Sequence, residues 1–338
     1  MPRRVQLPEH LLEHPFAVHD GTRAGVSPKR MRGSDLSSPY PGVRRFGAPP
    51  DGLLERCRAY AQRMSHDQLF SHGTAALLWG IPLPDEYGLR EIHGRPERDP
   101  AILHVASLNG TRPRVAGVRG HELSDRRIRC VLRHGLRVTD AASTWVHLAA
   151  SLTLPDLVAA GDHLVLTPRS RHPIERRPFC GVDDLVARLR NVRGGGHVKA
   201  ARALHLIRDG AESRRETHLR LQLLGHGLPE PDLQGVILDA HGRFVARGDL
   251  VYPAFKVLVE YDGQQHRESS TQFHHDVARH EALLAEGWTH LRADLHTPLA
   301  GRDSAPARTE RALRARGWSP GTPVPSLSAP KRGFSGQK

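Results

Sequence analysis

Three carboxylates lie inside two stretches of sequence that otherwise have the pattern of buried β-strands. Asp249 stands in RFVARGDLVYP (243–253), and Glu260 and Asp262 stand in KVLVEYDG (256–263). Short runs rich in β-branched and aromatic residues and bounded by Gly or Pro predict strands. Because burying an unpaired charge is costly, these acids must either lie at exposed turns or share a ligand such as a metal ion.

The turn between the two strands predicts how the acids are arranged. If it is a symmetric hairpin centred between Ala254 and Phe255, Asp249 lies opposite Glu260 and Asp262 points the same way. Opposed residues have Cβ atoms about 4.5–5.5 Å apart, and like charges at that spacing destabilise a sheet. A divalent cation removes the penalty, so we expect Mg²⁺ or Mn²⁺ at this place. The alternative is that one acid raises its pKa or turns to solvent.

A helix that begins after Ser213 brings a further acid to the same region. Glu216, Leu219 and Leu223 follow the spacing i, i+3, i+7, which places Glu216 at the edge of the apolar stripe, where it can point at a neighbouring sheet. The sequence SRRE (213–216) is equally typical of a capping box, in which Glu216 only returns a hydrogen bond to the Ser213 backbone. Both interpretations stay open.

The flanking segments complete an α-β-β-β-α-β order. LQGVILD (233–239) predicts the first strand, residues 271–286 the second helix, and GWTHLR (287–292) the closing strand. After the acidic strand, His266 is a candidate general base or water-orienting group, or else an exposed loop histidine. Arg279 forms an i, i+3 pair with Asp276, which is either a surface ion pair or a tether for the strand that carries Glu260.

The charge of the chain favours a polyanionic partner. The formal net charge is +13 and the pI is about 10.5, which favours DNA because Lys and Arg contacts to phosphate release counterions. Between residues 213 and 296 acidic residues outnumber basic ones, so the basic surface lies elsewhere. Three widely spaced cysteines form neither a disulfide framework nor a zinc pattern. Without an apolar leader or a membrane-length run, we expect a cytoplasmic protein without a membrane partner. No helix face indicates an oligomeric state.

Residues 10–50 have the elements of a helix-turn-helix. A short helix is followed by a turn at Gly25, and Ser27 is suited to cap a second, basic helix with Pro28 at its first position. The alternative is two ordinary short helices joined by a loop. The predicted DNA-binding residues are Lys29, Arg30 and Arg32.

The rest of the chain divides by composition and pattern. The middle region, 51–182, contains a predicted helix at 51–81, a small sheet at 101–138 and a helix at 139–165. Residues 183–212 are a predicted helical linker, and 213–300 hold the acidic domain. The tail at 319–338 is rich in Pro, Ser and Gly and is expected to be disordered.

The acidic domain resembles a known family through a combination of short motifs. They are Glu216, Leu228-Pro229, Gln234, Gly248-Asp249, Glu260-Tyr261-Asp262-Gly263, His266, Asp276, Arg279, Leu284, Gly287-Trp288 and Leu291-Arg292. Over residues 210–296 they resemble the bacterial domain of unknown function 559, which is similar to the very-short-patch-repair endonucleases of the PD-(D/E)xK restriction-endonuclease-like superfamily.

The resemblance implies a role for each matching residue. It implies that Asp249 is the central metal ligand, Glu260 the second acidic position and Glu216 the helix acid. His266 corresponds to the histidine that follows the acidic strand in the mismatch nickases. The superfamily pattern ends in Glu-x-Lys, whereas Asp262 stands here in place of the lysine, a change that the domain family shares.

The N-terminal half resembles a second family. PFAVHDGTRAGVSPKRMRGSDL, SHGTAALLWGIPL and GLRVTDAASTW with LPDLVAAGDHLV are similar to the front half of bacterial proteins that carry this C-terminal domain. That front half resembles the antitoxins of abortive-infection (type IV toxin–antitoxin) systems, which have a winged-helix DNA-binding head. Ser143 and His147 stand where the family has Arg and Asp around the Thr-Trp pair.

The sequence therefore predicts an α/β (α+β) protein with a restriction-endonuclease-like α-β-β-β-α-β C-terminal domain and a mostly helical, winged-helix-like N-terminal region. The predicted function is DNA binding combined with metal-dependent hydrolysis of DNA phosphodiester bonds, and a cognate toxin or a repair protein is the expected protein partner. The alternative is an antitoxin-like transcriptional regulator with a catalytically inactive nuclease fold. Only the nuclease predicts that Asp249→Ala removes an activity while leaving DNA affinity intact.

Overall fold

The computed structural model of the 338-residue chain describes residues 6–84, 102–123, 125, 127–170, 173, 175–262 and 270–321. The predicted tail lies largely outside these residues. The α-helices of the described part are α1 Val18–Arg23, α2 Gly52–Ala61, α3 His72–Leu78, α4 Ala141–Leu148, α5 Leu154–Val165, α6 Val182–Leu189, α7 His197–Leu206, α8 Arg214–Gly225, α9 Ser270–Ala285 and α10 Ala305–Ala315. The strands are β1 Phe16–Ala17, β2 Leu36–Ser37, β3 Val43–Phe46, β4 Gln68–Phe70, β5 Leu103–Ser107, β6 Arg114–Val115, β7 Val118–Glu122, β8 Cys130–Arg133, β9 Leu136–Thr139, β10 Asp232–Leu238, β11 Phe244–Tyr252, β12 Val257–Tyr261 and β13 Thr289–Ala293.

This mixture of helices and sheets confirms the α+β class. The chain divides into two compact units. Unit 1 comprises Met1–Thr153 and Cys180–Arg202, and unit 2 comprises Leu154–Phe179 and Ala203–Lys338. Helix α5, which the sequence assigned to the middle region, is thus grouped with unit 2. None of the α-helices in the described part of the chain combines the length and the apolar composition that a membrane span needs.

The main sheet of unit 1 has six strands in the order β6-β7-β5-β4-β9-β8. Strand β4 interrupts the single helix expected at 51–81, since Leu69 and Phe70 are fully buried between the neighbouring strands β5 and β9. The helix expected at 139–165 is likewise divided into α4 and α5. Pro155 lies in the first turn of α5, a position that tolerates proline, whereas the interior of a helix does not.

The region 10–50 contains less helix than expected. Beside α1 it holds a three-stranded antiparallel sheet in the order β1-β3-β2, so the prediction of a mostly helical region is wrong. Ser27 Oγ accepts a hydrogen bond from the Arg30 N–H (3.2 Å), as the capping prediction requires. The second helix is nevertheless only a single 3₁₀ turn, Arg30–Arg32, because the chain turns extended at Gly33 and continues into β2.

Unit 2 has the element order that the sequence predicts, α8-β10-β11-β12-α9-β13. Strands β10, β11 and β12 are antiparallel neighbours, and β13 lies parallel to β12. The observed pairs Leu250↔Val259, Val251↔Leu258 and Tyr252↔Val257 are centred between residues 254 and 255. The predicted hairpin register is therefore confirmed.

Helices cover both faces of this sheet. One face packs on α8 and α10, and the other on α9. The core of the first face includes Leu219, Leu223, Leu250, Tyr252, Val257, Val259, Leu313 and Trp318. The core of the second includes Ile237, Ala246, Val251, Leu258, Leu283 and Trp288. Because both faces are buried, each residue of β11 and β12 is assigned to one of the two cores. A slip of one residue in the pairing would move every side chain to the opposite face.

Helix α8 is also held by a buried ion pair with α5. Arg220 Nη2 lies 3.0 Å from Asp162 Oδ2, with side chains that are 0% and 1% exposed. The same carboxylate accepts hydrogen bonds from the Thr217 hydroxyl (2.8 Å) and the Arg208 backbone N–H (2.7 Å). The first turn of α8, which carries Glu216, is thus anchored within unit 2.

Candidate functional site

Asp249 lies on β11, one residue before the first pair that this strand makes with β12. The register places it opposite Glu260. Its carboxylate accepts hydrogen bonds from the backbone N–H of Tyr261 (3.2 Å) and from Nε2 of Gln234 (3.3 Å). Because Tyr261 follows Glu260 directly, the first of these bonds ties the Asp249 side chain to the strand that carries the second acid.

Glu216 reaches the same place from helix α8. Ser213 is the N-cap and accepts a hydrogen bond from the Glu216 N–H (3.1 Å). The Glu216 carboxylate does not complete the capping box on Ser213. It accepts instead from the Glu212 N–H (2.9 Å) and from Nε2 of Gln234 (3.1 Å). A single side-chain amide therefore bridges the helix acid and Asp249.

Gln234 was not singled out as a site residue from the sequence. It stands on β10 with a positive φ of 52°, a conformation that is uncommon for a residue other than glycine. Such strained residues cluster at functional sites, where the surrounding structure holds them. The signal in the sequence was a polar glutamine near the start of an otherwise apolar strand.

Glu260 is held by two basic side chains. Arg279 on α9 donates from Nη1 to Oε2 (2.9 Å) and from Nη2 to Oε1 (2.5 Å). His290 on β13 lies with Nε2 2.7 Å from Oε2, and its side chain is fully buried. Of the two interpretations of Arg279, the tether is the one observed. His290 was missed, because nothing local distinguishes it among 23 histidines.

The three acids differ in their electrostatic surroundings. Burial raises the pKa of Asp249, and the neighbouring charges of Glu216 and Glu260 raise it further, to about 7. Burial also raises the pKa of Glu216. Burial acts in the same direction on Glu260, but the hydrogen bonds and charges of Arg279 and His290 outweigh it and hold the pKa of this carboxyl at about 2. Negative charge is thus compensated at Glu260 and crowded at Asp249.

The two remaining predicted site residues are His266 and Asp262. His266 lies outside the described residues. Asp262 follows β12, where its backbone N–H donates to the carbonyl of Ala293 (2.7 Å). Its carboxylate lies 3.9 Å from Nη1 of Arg292. The structure therefore brings together Asp249, Glu260 and Glu216, with Gln234 between Glu216 and Asp249 and with Arg279 bound to Glu260.

Among the described residues, one set of metal-binding side chains has ligand atoms that all lie within 4.8 Å of one another. It consists of His72, His104 and His121 of unit 1. The acids of unit 2 are spaced more widely, since the Gln234 amide separates Glu216 from Asp249 and Arg279 holds Glu260.

A cavity of about 400 Å³ lies in unit 2. Arg215 and His218 of α8 line it together with Tyr261 of β12 and the segment that follows β13. The guanidinium of Arg215 lies 5.8 Å from the centre of the Tyr261 ring. A positive side chain and an aromatic ring therefore stand at the end of the strand that carries Glu260.

The predicted DNA-binding residues of unit 1 differ in availability. Arg30 forms a bidentate ion pair with Asp35 (2.9 and 2.7 Å), and its side chain is 10% exposed. Lys29 and Arg32 are exposed. Arg30 therefore fixes the loop after the 3₁₀ turn, and the other two side chains extend into solvent.

The sequence is similar to proteins of Mycobacterium tuberculosis. The uncharacterized protein Rv2248 of strain H37Rv is 30% identical over 246 residues, which cover 72% of this chain and 80% of the relative. The uncharacterized protein MT2308 of strain CDC 1551 matches with the same identity and coverage. No model of a known protein family matches the chain, and no solved structure matches it at a significant level.

Proposed function

We propose, for a chain that belongs to the same family as the mycobacterial proteins Rv2248 and MT2308, that unit 2 is a metal-dependent DNA endonuclease domain of the restriction-endonuclease-like fold. The observation that carries the proposal is the gathering of Asp249, Glu216 and Glu260 at one place, where burial raises the pKa of Asp249 and the charges of the other two acids raise it further, to about 7. Like charges gathered at one place destabilise the fold unless a ligand compensates for them. The element order of unit 2 and the observed hairpin register support the proposed fold.

The donor set fits Mg²⁺ or Mn²⁺. Asp249 and Glu216 present carboxylate oxygens, the hard ligands that these ions prefer. Within the described residues neither side chain forms an ion pair, so the oxygens of both carboxylates are left for a cation, which would favour their charged forms. When bound, such an ion polarises a phosphodiester and lowers the pKa of a coordinated water.

The other residues would position the substrate and compensate charge. Arg279 is fixed by two hydrogen bonds to Glu260, which is itself held by His290. A guanidinium placed in this way can stabilise negative charge that develops on a phosphate. In this proposal Arg279 supplies the positive charge that the superfamily takes from the lysine replaced here by Asp262, and His266 is the candidate base.

Cleavage of supercoiled plasmid and of labelled oligonucleotides by the purified full chain tests the proposal, with Mg²⁺, Mn²⁺ or EDTA. Asp249→Asn and Glu216→Gln remove a charge while keeping the shape of the side chain. Glu281→Gln is the matched control, because Glu281 is an exposed acid on α9. We expect metal-dependent nicking that the two site variants lose by at least about 100-fold, as for other groups acting on the transition state. Equal cleavage by wild type and both site variants would identify a contaminant and refute the proposal.

A second function is favoured by a specific observation. Both oxygens of Glu260 are already bound by Arg279 and His290, and Asp262 replaces the superfamily lysine. This is the arrangement expected of a DNA-binding regulator that keeps a nuclease fold without catalysis. It predicts DNA binding with no metal-dependent cleavage, and a toxin or a repair protein as the partner.

DNA binding, which both functions share, is tested through its salt dependence. If exposed Lys29 and Arg32 each neutralise one phosphate, replacing both by alanine reduces the magnitude of the negative slope of log K against log salt by about 1.8, or about 0.9 per contact. Fluorescence anisotropy with a labelled duplex measures that slope. An unchanged slope would remove these two residues from the interface.

A further inference from the structure

Four histidine side chains meet in unit 1. His72 is the first residue of α3, His104 stands on β5, His121 on β7 and His147 in the last turn of α4. In the sequence they are separated by irregular intervals and match no ligand motif. The parallel pairing of β5 with β7, and the packing of α3 and α4 beside these strands, bring them together.

The rings are in direct contact. His104 Nδ1 lies 3.0 Å from His121 Nε2. The His72 ring stacks on His121 with centroids 3.7 Å apart and on His147 with centroids 4.7 Å apart, at interplanar angles of 15°. The ligand atoms of His72, His104 and His121 all lie within 4.8 Å of one another. Tetrahedral ligands at zinc–nitrogen distances of about 2.0–2.1 Å stand about 3.3–3.4 Å apart, so the His104–His121 pair is already close to that spacing.

The backbone around the cluster is fixed. The His104 carbonyl accepts a hydrogen bond from the Ser71 N–H (3.0 Å), and the His104 N–H donates to the Thr74 hydroxyl (2.7 Å). These bonds hold β5 against the first turn of α3. His72 has a positive φ of 48°, an uncommon conformation for a residue with a side chain. With this backbone conformation the His72 ring lies beside His121.

The polar atoms of the cluster are incompletely satisfied. His147 Nδ1 is buried and makes no hydrogen bond with any described residue. Neutral imidazole, bound through either ring nitrogen, is a common ligand of metal ions.

We propose that His72, His104 and His121 form a binding site for a divalent transition-metal ion, with Zn²⁺ as the first choice. Three imidazole nitrogens suit Zn²⁺, Cu²⁺ and Ni²⁺, whereas Mg²⁺ requires oxygen ligands. His147 supplies the fourth ligand or lies beside a bound water. Binding turns the His72 ring out of its stack on His121, so that its nitrogen lone pair points at the ion. The site joins α3, β5 and β7 within unit 1 and is independent of the acids in unit 2.

The first experiment is a titration of the metal-free full chain with Co²⁺, which reports tetrahedral binding by its visible absorption. We expect saturation at one Co²⁺ per chain, displacement by Zn²⁺ and no displacement by Mg²⁺. His121→Phe keeps a stacked ring but removes both nitrogens. Loss of a residue that only hydrogen-bonds to a metal ligand lowers metal affinity by roughly 10–100-fold, so loss of the ligand itself should lower the Co²⁺ affinity by more than that. His66→Phe is the matched control at an exposed histidine of the same unit, and it should bind as the wild type does.

Two results would overturn the proposal. The first is that titration of the wild type with Co²⁺ gives no visible absorption of a tetrahedral complex. The other is a folded His121→Phe variant, checked by circular dichroism, that binds as tightly as the His66→Phe control. If His121→Phe does not fold, X-ray absorption of the wild type loaded with one Zn²⁺ decides. At least three imidazole nitrogens at about 2.0–2.1 Å support the site, and fewer imidazoles or a sulfur ligand at about 2.3 Å refute it.

Discussion

The buried ion pair between Asp162 and Arg220 should have an asymmetric effect on the stability of unit 2. Arg220 is 0% exposed and Asp162 1%, and removing one partner of such a pair typically costs about 3–5 kcal/mol, because the other charge stays buried without compensation. The two single substitutions Asp162→Asn and Arg220→Met leave different groups behind.

Arg220→Met leaves a carboxylate that keeps two hydrogen bonds, from the Thr217 hydroxyl and the Arg208 N–H. Burial already raises the pKa of Asp162, so this carboxyl can also take up a proton. We expect a loss of about 3 kcal/mol, the low end of the range. Asp162→Asn leaves a buried guanidinium, which cannot lose its proton. It keeps the Leu206 carbonyl (2.8 Å) and Glu230 (3.4 Å), and the new amide offers a neutral oxygen in place of the charged carboxylate. We therefore expect a loss of about 4–5 kcal/mol.

Urea unfolding followed by circular dichroism, with hydrogen exchange of the α8 amides, measures both losses. At about 2–4 °C per kcal/mol for a unit of this size, the Tm of unit 2 should fall by roughly 6–12 °C in the Arg220→Met variant. The raised pKa of Asp162 favours the protonated form in the folded state. The Arg220→Met variant should therefore recover stability as the pH falls from 7 to about 5, while Asp162→Asn should not.

The double variant completes the cycle. Because neither charge is then left alone, its loss should be smaller than the sum of the single losses by at least about 2 kcal/mol. Single losses below about 1 kcal/mol, or a double variant whose loss equals the sum, would show that the pair behaves as an exposed one and would refute the reasoning.

Three further predictions concern a close backbone contact and the charges of the site. Gly120→Ala places a Cβ 2.0 Å from a backbone carbonyl oxygen and should lower the free energy of unfolding in urea by about 1–3 kcal/mol. Gly225→Ala in α8, where a Cβ meets nothing within 4 Å, should be neutral or stabilising, and similar effects of the two substitutions would contradict this. The pKa of Asp249 in the folded protein is raised from 3.8 to about 7, so its charge destabilises the metal-free protein increasingly as the pH rises through that window. Asp249→Asn should therefore raise Tm more at pH 8 than at pH 4. An equal gain in Tm at both pH values would argue against the crowding of charge. Arg279→Leu should raise the pKa of Glu260 from about 2 towards its ordinary value. The stability that the charged form provides is then lost at a higher pH as acid is added. NMR titration of the carboxyl measures the shift, and an unchanged pKa would mean that Arg279 is not the main partner of Glu260.

Within unit 2 the sequence predicted the order of elements and the hairpin register because the decisive patterns are local. The hairpin between β11 and β12 is short, so the position of its turn sets the register and places Asp249 opposite Glu260. Ser213 was recognisable as an N-cap for the same reason. In the N-terminal region local signals were less reliable. Ser27 caps as predicted, but the helix it starts ends after one 3₁₀ turn, since the chain leaves for the small sheet at Gly33.

The sequence by itself determined the order of elements in unit 2, the hairpin register and the presence of acids on adjoining strands, because these depend on hydrophobic period and turn chemistry over a few residues. Only the tertiary structure decided what each acid contacts. Gln234, Arg279 and His290 come from β10, α9 and β13, and the packing of helices on both faces of the sheet brings them to the acids. The histidine cluster depends even more on long-range contacts, because parallel pairing joins strands that are distant in sequence, and no local pattern records which side chains will then meet.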